Sequence, residues 1–501
     1  MDIHPHQSEF EAAYANGKPQ VVWTELPADL DTPVSIMLKL GQDRRFSALL
    51  ESVQGGAIRG RYSFIALDPD LVWRCHGQVA EMCRTIGSGP LKYAREPEPT
   101  LNSLRALVAA SRIALPTHLP PMAAGLIGYM GYDTIRLVEN IPDTNPDSIG
   151  MPDGMFMRPT LIVIFDNVND IMTIVTPVYP TTGTDGAAAH ADATRRIHDL
   201  LGVLERPVPH VAPTATPRFD EAVSNTGRDG YHAMVLKAKE YILAGDIFQV
   251  VPSQRFRLPF ALPAFALYRS LRRLNPSPFL FYLNFDGFAI VGSSPEILVR
   301  LREGKVTIRP IAGTRPRGKT TAEDQALAAE LLADPKERAE HLMLLDLGRN
   351  DVGRVCKAGS VKVTEQMVIE LYSHVMHIVS NVEGEIAPGY DAMDALMAGF
   401  PAGTVSGAPK VRAMEIIDEL ESERRMFYGG AIGYFSANGD MDTCIALRTA
   451  VVKDGEVIIQ AGGGVVADSD PEAEFQESNN KAKALVRAAE EAVRFFAGGN
   501  R

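Results

Sequence analysis

The stretch "VVKDGEVII" (residues 451–459) decides how this chain should be read. Two β-branched runs flank Asp454-Gly455, and an Asp-Gly pair tolerates the two positive-φ positions that a tight two-residue hairpin turn requires. Working outward, "IFQVV", "FLFYLNF", "FAIVGSS", "ILVRL", "KVTIRPI", "AIGYFS", "DTCIALRTAVV" and "EVIIQAGGGVV" all read as strands, several in hairpin succession. Strands that come in runs, not in β-α alternation, predict an α+β fold with largely antiparallel sheets. Nearer the start, "TLIVIFDNVNDIMTIVTPVY" (residues 160–179) predicts a hairpin around a polar turn, followed by a helix through Leu201. Tyr231, Met234, Val235, Ala238, Tyr241 and Ile242 follow helical spacing, with Gly245 as the stop. Between these, the proline-rich "RPVPHVAPTATPRF" (residues 206–219) marks a crossing, so the expected division is 1–217 and 218–501.

The totals exclude several classes. A length of 501 residues allows two or three domains, and 46% hydrophobic with 22% charged residues is ordinary for a globular protein. No apolar run approaches the roughly 18 residues of a membrane span, and "MDIHPHQSEFEAA" lacks the blocks of a signal peptide. Cys75, Cys83, Cys356 and Cys444 are scattered without C-x-x-C spacing, which predicts buried reduced thiols in a cytoplasmic protein. A net charge of −12 without a basic run argues against nucleic acid. An anionic small molecule would need local positive charge or a metal.

Two helical segments carry the chemical signal. Asp334-Pro335 opens one that presents Glu337 and Glu340, and Asp470-Pro471 opens another that presents Glu474, Glu477 and Lys481. Each pattern also suits plain helix starts and an i,i+4 surface ion pair. Clustered carboxylates repel, however, and oxygen-only ligation suits Mg²⁺. Gly462, Gly463 and Gly464 mark either a bend or a close backbone approach to an anion. "GTVSGAPK" (residues 403–410) lacks the ending of a phosphate loop, and Pro409 removes a donor, so no nucleotide is expected there. In "VTIRPIAGTRPRGKT" (residues 306–320), Arg309, Arg315 and Arg317 surround Gly313-Thr314, and Ala312 stands at the centre.

"GDIFQVVPSQR", "GSSPE", "RPIAGTRPRG", "DPKERAEHLMLLDLGRND", "YSHVMHI", "FPAGTVSGAPK", "YGGAIGYF", "CIALRTA" and "AGGGVVADSDPEAEFQESNNKA" occur in the order found in chorismate-utilising enzymes. The chain resembles that family over nearly its whole length. The resemblance implies an α/β/β/α sandwich. It implies Mg²⁺ on Glu340 and Glu477, with Glu337 and Glu474 supporting. Chorismate would be held by Arg448, Tyr428, Lys481, Thr314, Thr404 and the backbone at Gly313, Gly462, Gly463 and Gly464. His377 would lie near the reacting ring, although the residues alone suggest only an interior hydrogen-bonded histidine. Glu296 would be the general acid, which needs a pKa raised by burial.

Relatives that add water carry a lysine at the position of Gln249, and those that form aminodeoxychorismate carry one at the position of Ala312. Their absence here implies direct addition of ammonia, giving anthranilate and pyruvate. The rivals are aminodeoxychorismate formation, isochorismate or salicylate formation, and an inactive tryptophan-binding regulatory subunit. An unrelated Mg²⁺ enzyme acting on a phosphorylated metabolite is a further one. By the same resemblance, "LLESVQGGAIRGRYSFIA" and "NPSPFLFYL" assign a tryptophan feedback site to Leu50, Glu51, Ser52, Pro278, Phe279 and Leu280. Phe279-Leu280 stands where many relatives have Tyr-Met. No cysteine sits in a glycine-flanked nucleophile turn, and the resemblance then implies a separate glutamine amidotransferase subunit that supplies ammonia.

Overall fold

The computed structural model describes residues 2–41, 44–54, 58–87, 89–209, 221–372 and 375–497, without the side chains of 53, 54, 58, 59, 496 and 497. The proline-rich crossing from residue 210 onward, and with it the expected boundary at 217, lies outside the described residues.

The Asp454-Gly455 turn is as the sequence demands: both residues have positive φ, 51° and 78°, and join Thr449–Lys453 to Glu456–Gly462 in register. The hairpin at 160–179 forms as well, from Gly154–Asp166 and Ile171–Val178. Every registered strand pair among the described residues is antiparallel, and helices cover the sheet. Two expectations change in detail. "IFQVV" contributes only Gln249–Val250, paired to Gly407–Ala408. "DTCIALRTAVV" breaks into Met441–Ile445 and Thr449–Lys453, with Arg448 in the left-handed region at φ 50° between them.

Strands from both sides of the crossing share one sheet. Ser47–Glu51 lies between Tyr62–His76 and Phe279–Asn284, and Gly125–Met130 pairs with Ala431–Ser436. One apolar core accordingly contains Phe46, Met122 and Ile162 together with Phe285, Phe427 and Ile458. The two segments therefore cannot separate without exposing common apolar surface, the main driving term of folding.

Two helices set the chemistry. Pro335–Gly353 is capped by Asp334, whose carboxylate accepts from the Lys336 and Glu337 amides. Pro471–Ala497 is started similarly by Asp470, which accepts from the Ala473 amide at 2.9 Å. Its buried face (Ala482, Leu485, Ala489) packs against Phe265 and Leu271 of Ala264–Leu274.

Candidate active site

The glutamates of both helices face a cleft floored by Ile311–Pro316 and by the glycine run. Gly313 has φ 81°, and a Cβ there would lie 3.1 Å from Glu337 Oε2. A Cβ at Gly463 would meet Glu474 Oε2 at 2.8 Å and Glu477 Oε1 at 3.7 Å, and one at Gly464 would meet Gln249 Nε2 at 2.5 Å. These glycines are thus required by close approach to the carboxylates and to Gln249. Their amides are less available than a bare anion loop would need: the Gly462 and Gly463 N–H groups donate to the hydroxyls of Tyr428 and Tyr231.

Glu340 accepts from Gln249 Nε2 at 2.9 Å, and burial, then Glu337 and Glu477, hold its carboxyl above the ordinary range. Glu474 is raised likewise by burial, then by Glu477 and Glu340, against a 2.7 Å hydrogen bond from Ser469. Its Oε2 is buried without a partner, as is Gln249 Oε1. Glu477 pairs with Lys481 at 2.7 Å, the i,i+4 contact that the spacing allows, and Lys481 also donates to the Gly462 carbonyl at 2.9 Å. Repelling, partly orphaned carboxylates with oxygen-only chemistry fit a hard divalent cation. As placed, no three of them converge at metal-holding distance among the described residues.

Around this group sit the neutral players. Glu296 is buried, and desolvation lifts its carboxyl to about 8 despite a hydrogen bond from Thr404 Oγ1 at 3.2 Å and the nearby Arg448 charge. It is therefore protonated at pH 7. His377 is pushed down to about 4 by burial and is neutral. Its Nδ1 faces the Gly313 carbonyl at 3.2 Å and Thr314 Oγ1 at 2.9 Å. A carbonyl only accepts, so Nδ1 carries the proton and Nε2 offers a lone pair. The Arg448 guanidinium has no hydrogen bond or ion pair among the described residues, only longer-range attraction to Tyr428, Glu477 and Glu296 that opposes its desolvation. An unsatisfied guanidinium is suited to a carboxylate.

The arginines of the 306–320 stretch have another task. Arg315 binds Glu330, Asp334 and Glu337; Arg317 binds Asp324; Arg309 binds Glu365 and Glu370. Arg315 ties the loop to the first glutamate helix, Arg317 ties it to Thr321–Ala333 and Arg309 ties it to Lys362–Leu371, so all three guanidinium groups are already paired. Ala312 pairs with Ile378 beside the bulge that turns Thr314 toward His377.

A second cavity, of about 1030 Å³, brings together all of Leu50, Glu51, Ser52, Pro278, Phe279 and Leu280. Its wall also contains Ile432, Tyr434, Asp442 and Arg300, which sequence reasoning missed. Glu51 is held by two hydrogen bonds from Arg272, at 2.6 and 2.9 Å, and one from Tyr268 at 2.5 Å.

A helix-covered antiparallel sheet with a carboxylate-lined cleft, a buried protonated acid and an unpaired arginine defines an enzyme for small polyanionic substrates. Residues 68–487 match the family described as chorismate binding enzyme. Anthranilate synthase component 1 of Cereibacter sphaeroides is 59% identical, covering 97% of both chains, and that of Aquifex aeolicus is 47% identical, covering 94% of both. The crystal structure of anthranilate synthase component I from Streptococcus pneumoniae superposes with a TM-score of 0.75 at 37% identity, over 92% of this chain and 99% of that one. The isochorismate synthase MenF from Escherichia coli shares the fold, with a TM-score of 0.70 at 21% identity. The chain belongs to the chorismate-binding enzyme family, among the anthranilate synthase component 1 proteins.

Proposed function

We propose that the chain converts chorismate and ammonia to anthranilate and pyruvate. The observation that carries this reading is Glu296: a carboxyl kept protonated near neutrality, beside an arginine free to take a substrate carboxylate. Loss of the ring hydroxyl needs a proton, which Glu296 donates as water departs. Ammonia adds to the ring and gives its surplus proton back to the Glu296 carboxylate; Nε2 of neutral His377 is then suited to take the ring proton and pass it to the methylene of the enolpyruvyl group, which leaves as pyruvate. Gln249 cannot act as the base that water addition would need, because its amide nitrogen is a donor and already serves Glu340. Ala312 offers no nucleophile, which disfavours a covalent aminodeoxychorismate route.

Glu340 and Glu477, supported by Glu337 and Glu474, would hold Mg²⁺, which when bound supplies positive charge for the substrate carboxylates. The naming of the relatives as component 1 supports a separate glutaminase subunit as the ammonia source. The cavity at Leu50, Glu51, Ser52, Pro278, Phe279 and Leu280 is the proposed tryptophan site, with residues 1–217 as the regulatory part.

The test is the purified chain with chorismate, ammonium and Mg²⁺, with chromatographic identification of the product. Anthranilate and pyruvate, lost on chelation, are expected. Aminodeoxychorismate or isochorismate would overturn the roles of Ala312 or Gln249, and binding without turnover would leave a regulatory subunit.

A further inference from the structure

The first glutamate helix, Pro335–Gly353, meets the sheet through an apolar face: its Leu345 and Val352 share one core with the strand residues Val306 and Val382. His341, next to Glu340, breaks this face and is fully buried. Its Nε2 is hydrogen bonded to the hydroxyl of Ser380 at 2.7 Å, and Ser380, on Val375–Glu385, is fully buried too. The Ala312 carbonyl is a further polar neighbour of the ring, but Nδ1 makes no well-formed hydrogen bond. A buried polar pair satisfied on one side only adds little to stability. What it supplies is register: apolar surfaces can slide over one another, whereas a buried hydrogen bond admits one placement.

Ser380 stands at an irregular point of its strand. Glu365 pairs with Asn381 and Val368 with Val379, so Gln366 and Met367 both oppose Ser380 as a bulge. Met367 has φ 52°, and its amide donates to the Ser380 hydroxyl oxygen at 3.0 Å. Along the other edge of the same strand, Ala312 pairs with Ile378 and Thr314 with His377, so Gly313 is bulged out. His341 is therefore tied to the span between two bulges, three residues from His377. Bulges bend a strand and interrupt its ladder. A strand bulged along both edges needs an outside anchor if His377 and the glutamates are to keep one spacing.

We propose that the His341–Ser380 hydrogen bond is a positioning device: it pins the helix that carries Glu337 and Glu340 to the strand that carries His377, and so sets the spacing between the metal-binding carboxylates and the imidazole. This rests on the reading of Glu340 and Glu477 as metal ligands. Being buried, His341 acts through Glu340 on one side and His377 on the other, not on the substrate itself.

Three variants of the full chain test the pin: His341→Leu, His341→Gln and the doubly apolar His341→Leu/Ser380→Ala. Replacing both partners by apolar groups is nearly neutral for folding, so the double variant should unfold at the wild-type denaturant midpoint. Mn²⁺, which takes the same oxygen ligands as Mg²⁺, serves as the probe. Its binding is followed by loss of the free-ion electron paramagnetic signal, with chorismate present and ammonia withheld. In the double variant Mn²⁺ affinity should fall about tenfold, and kcat with ammonia by about as much. His341→Leu should fall as far, since the two residues act as one unit. The amide of His341→Gln can reach Ser380 from the same helix position, so this variant should keep both quantities within about threefold of the wild type. A double variant that binds Mn²⁺ and turns over within about twofold of the wild type overturns the proposal. So do equal losses in His341→Gln and His341→Leu, which would make ring shape the cause, and losses that track a lowered unfolding midpoint across all three variants. Should the double variant not fold, the contrast between His341→Gln and His341→Leu decides alone. An active wild type that binds no Mn²⁺ would instead sink the metal reading, and this assignment with it.

Discussion

Two buried charged regions of the molecule are built on opposite rules. In the first, Arg425 and Glu421 are 1% and 5% exposed and fully engaged. Arg425 donates to Glu421 and to the carbonyls of Val405 and Val251, each carbonyl at 2.6 Å, while Glu421 also accepts from the Ser253 amide and hydroxyl. Arg255 is similarly saturated by Glu423, Gln460 and Ser148. In the cleft, by contrast, Glu474 Oε2 and Gln249 Oε1 are orphaned, carboxylates repel, and the Arg448 guanidinium has no hydrogen-bond partner among the described residues. Saturated buried charge is scaffold; buried charge left incomplete is where a ligand belongs. The two are linked, because the carbonyls held by Arg425 adjoin Thr404 and lie two residues from Gln249.

The contrast is broken most severely at Glu296. Glu296→Gln keeps the shape and a hydrogen bond with Thr404 but removes the proton donor, so kcat should fall about 10²- to 10⁴-fold with chorismate binding retained in equilibrium titration. Arg425→Met attacks the scaffold instead: leaving Glu421 buried and unpaired should cost about 3–5 kcal/mol in denaturant unfolding. If unfolding were unchanged, the saturated network would not be holding the cleft.

Glu296 also sets a pH signature. Its folded pKa, about 8, lies above the ordinary value of 4.5, so the protonated form is the one the fold favours. That contribution to stability is fully present below about 4.5 and is lost as pH rises through about 8. Turnover should fall about tenfold per unit above that pH, and the Glu296→Gln variant should lack both trends. Ser469→Ala, which frees Glu474, should weaken Mg²⁺ binding about tenfold in metal titrations of activity while leaving the Glu296 pH profile in place. Smallest of all, Arg195→Ala on an exposed helix face should change unfolding by less than about 0.5 kcal/mol, although Arg195 contacts both Asp192 and Asp199.

What could be read in the sequence was local. Asp454-Gly455 announced its hairpin through φ, and the Asp-Pro helix starts with glutamates three apart announced the two cleft helices. The role of Arg309, Arg315 and Arg317 was not legible for the converse reason: their partners, from Asp324 to Glu370, lie on other elements, so their charge is neutralised by tertiary contacts. The roles of Arg448, His377 and Glu296 came only from resemblance, since burial is what makes an acid protonated or a histidine neutral, and burial has no signature in a lone Glu or His. The meeting of Tyr434, Asp442 and Arg300 in the cavity wall was invisible because it depends on register between strands about 140 residues apart.

The short segment between Phe288–Ser294 and Ile297–Arg302 has one further consequence. Pro295 and Ile297 line the large cavity, while Glu296 between them bonds Thr404 in the cleft. Its position is held by the Ile445 amide, which donates to the Glu296 carbonyl at 3.1 Å. A single backbone therefore serves as the partition between two chambers. Side chains on either side can be exchanged independently, but the spacing cannot: one inserted or deleted residue would turn the acid into the wrong chamber and an apolar group into the right one. This stretch should tolerate changes of letter far better than changes of length.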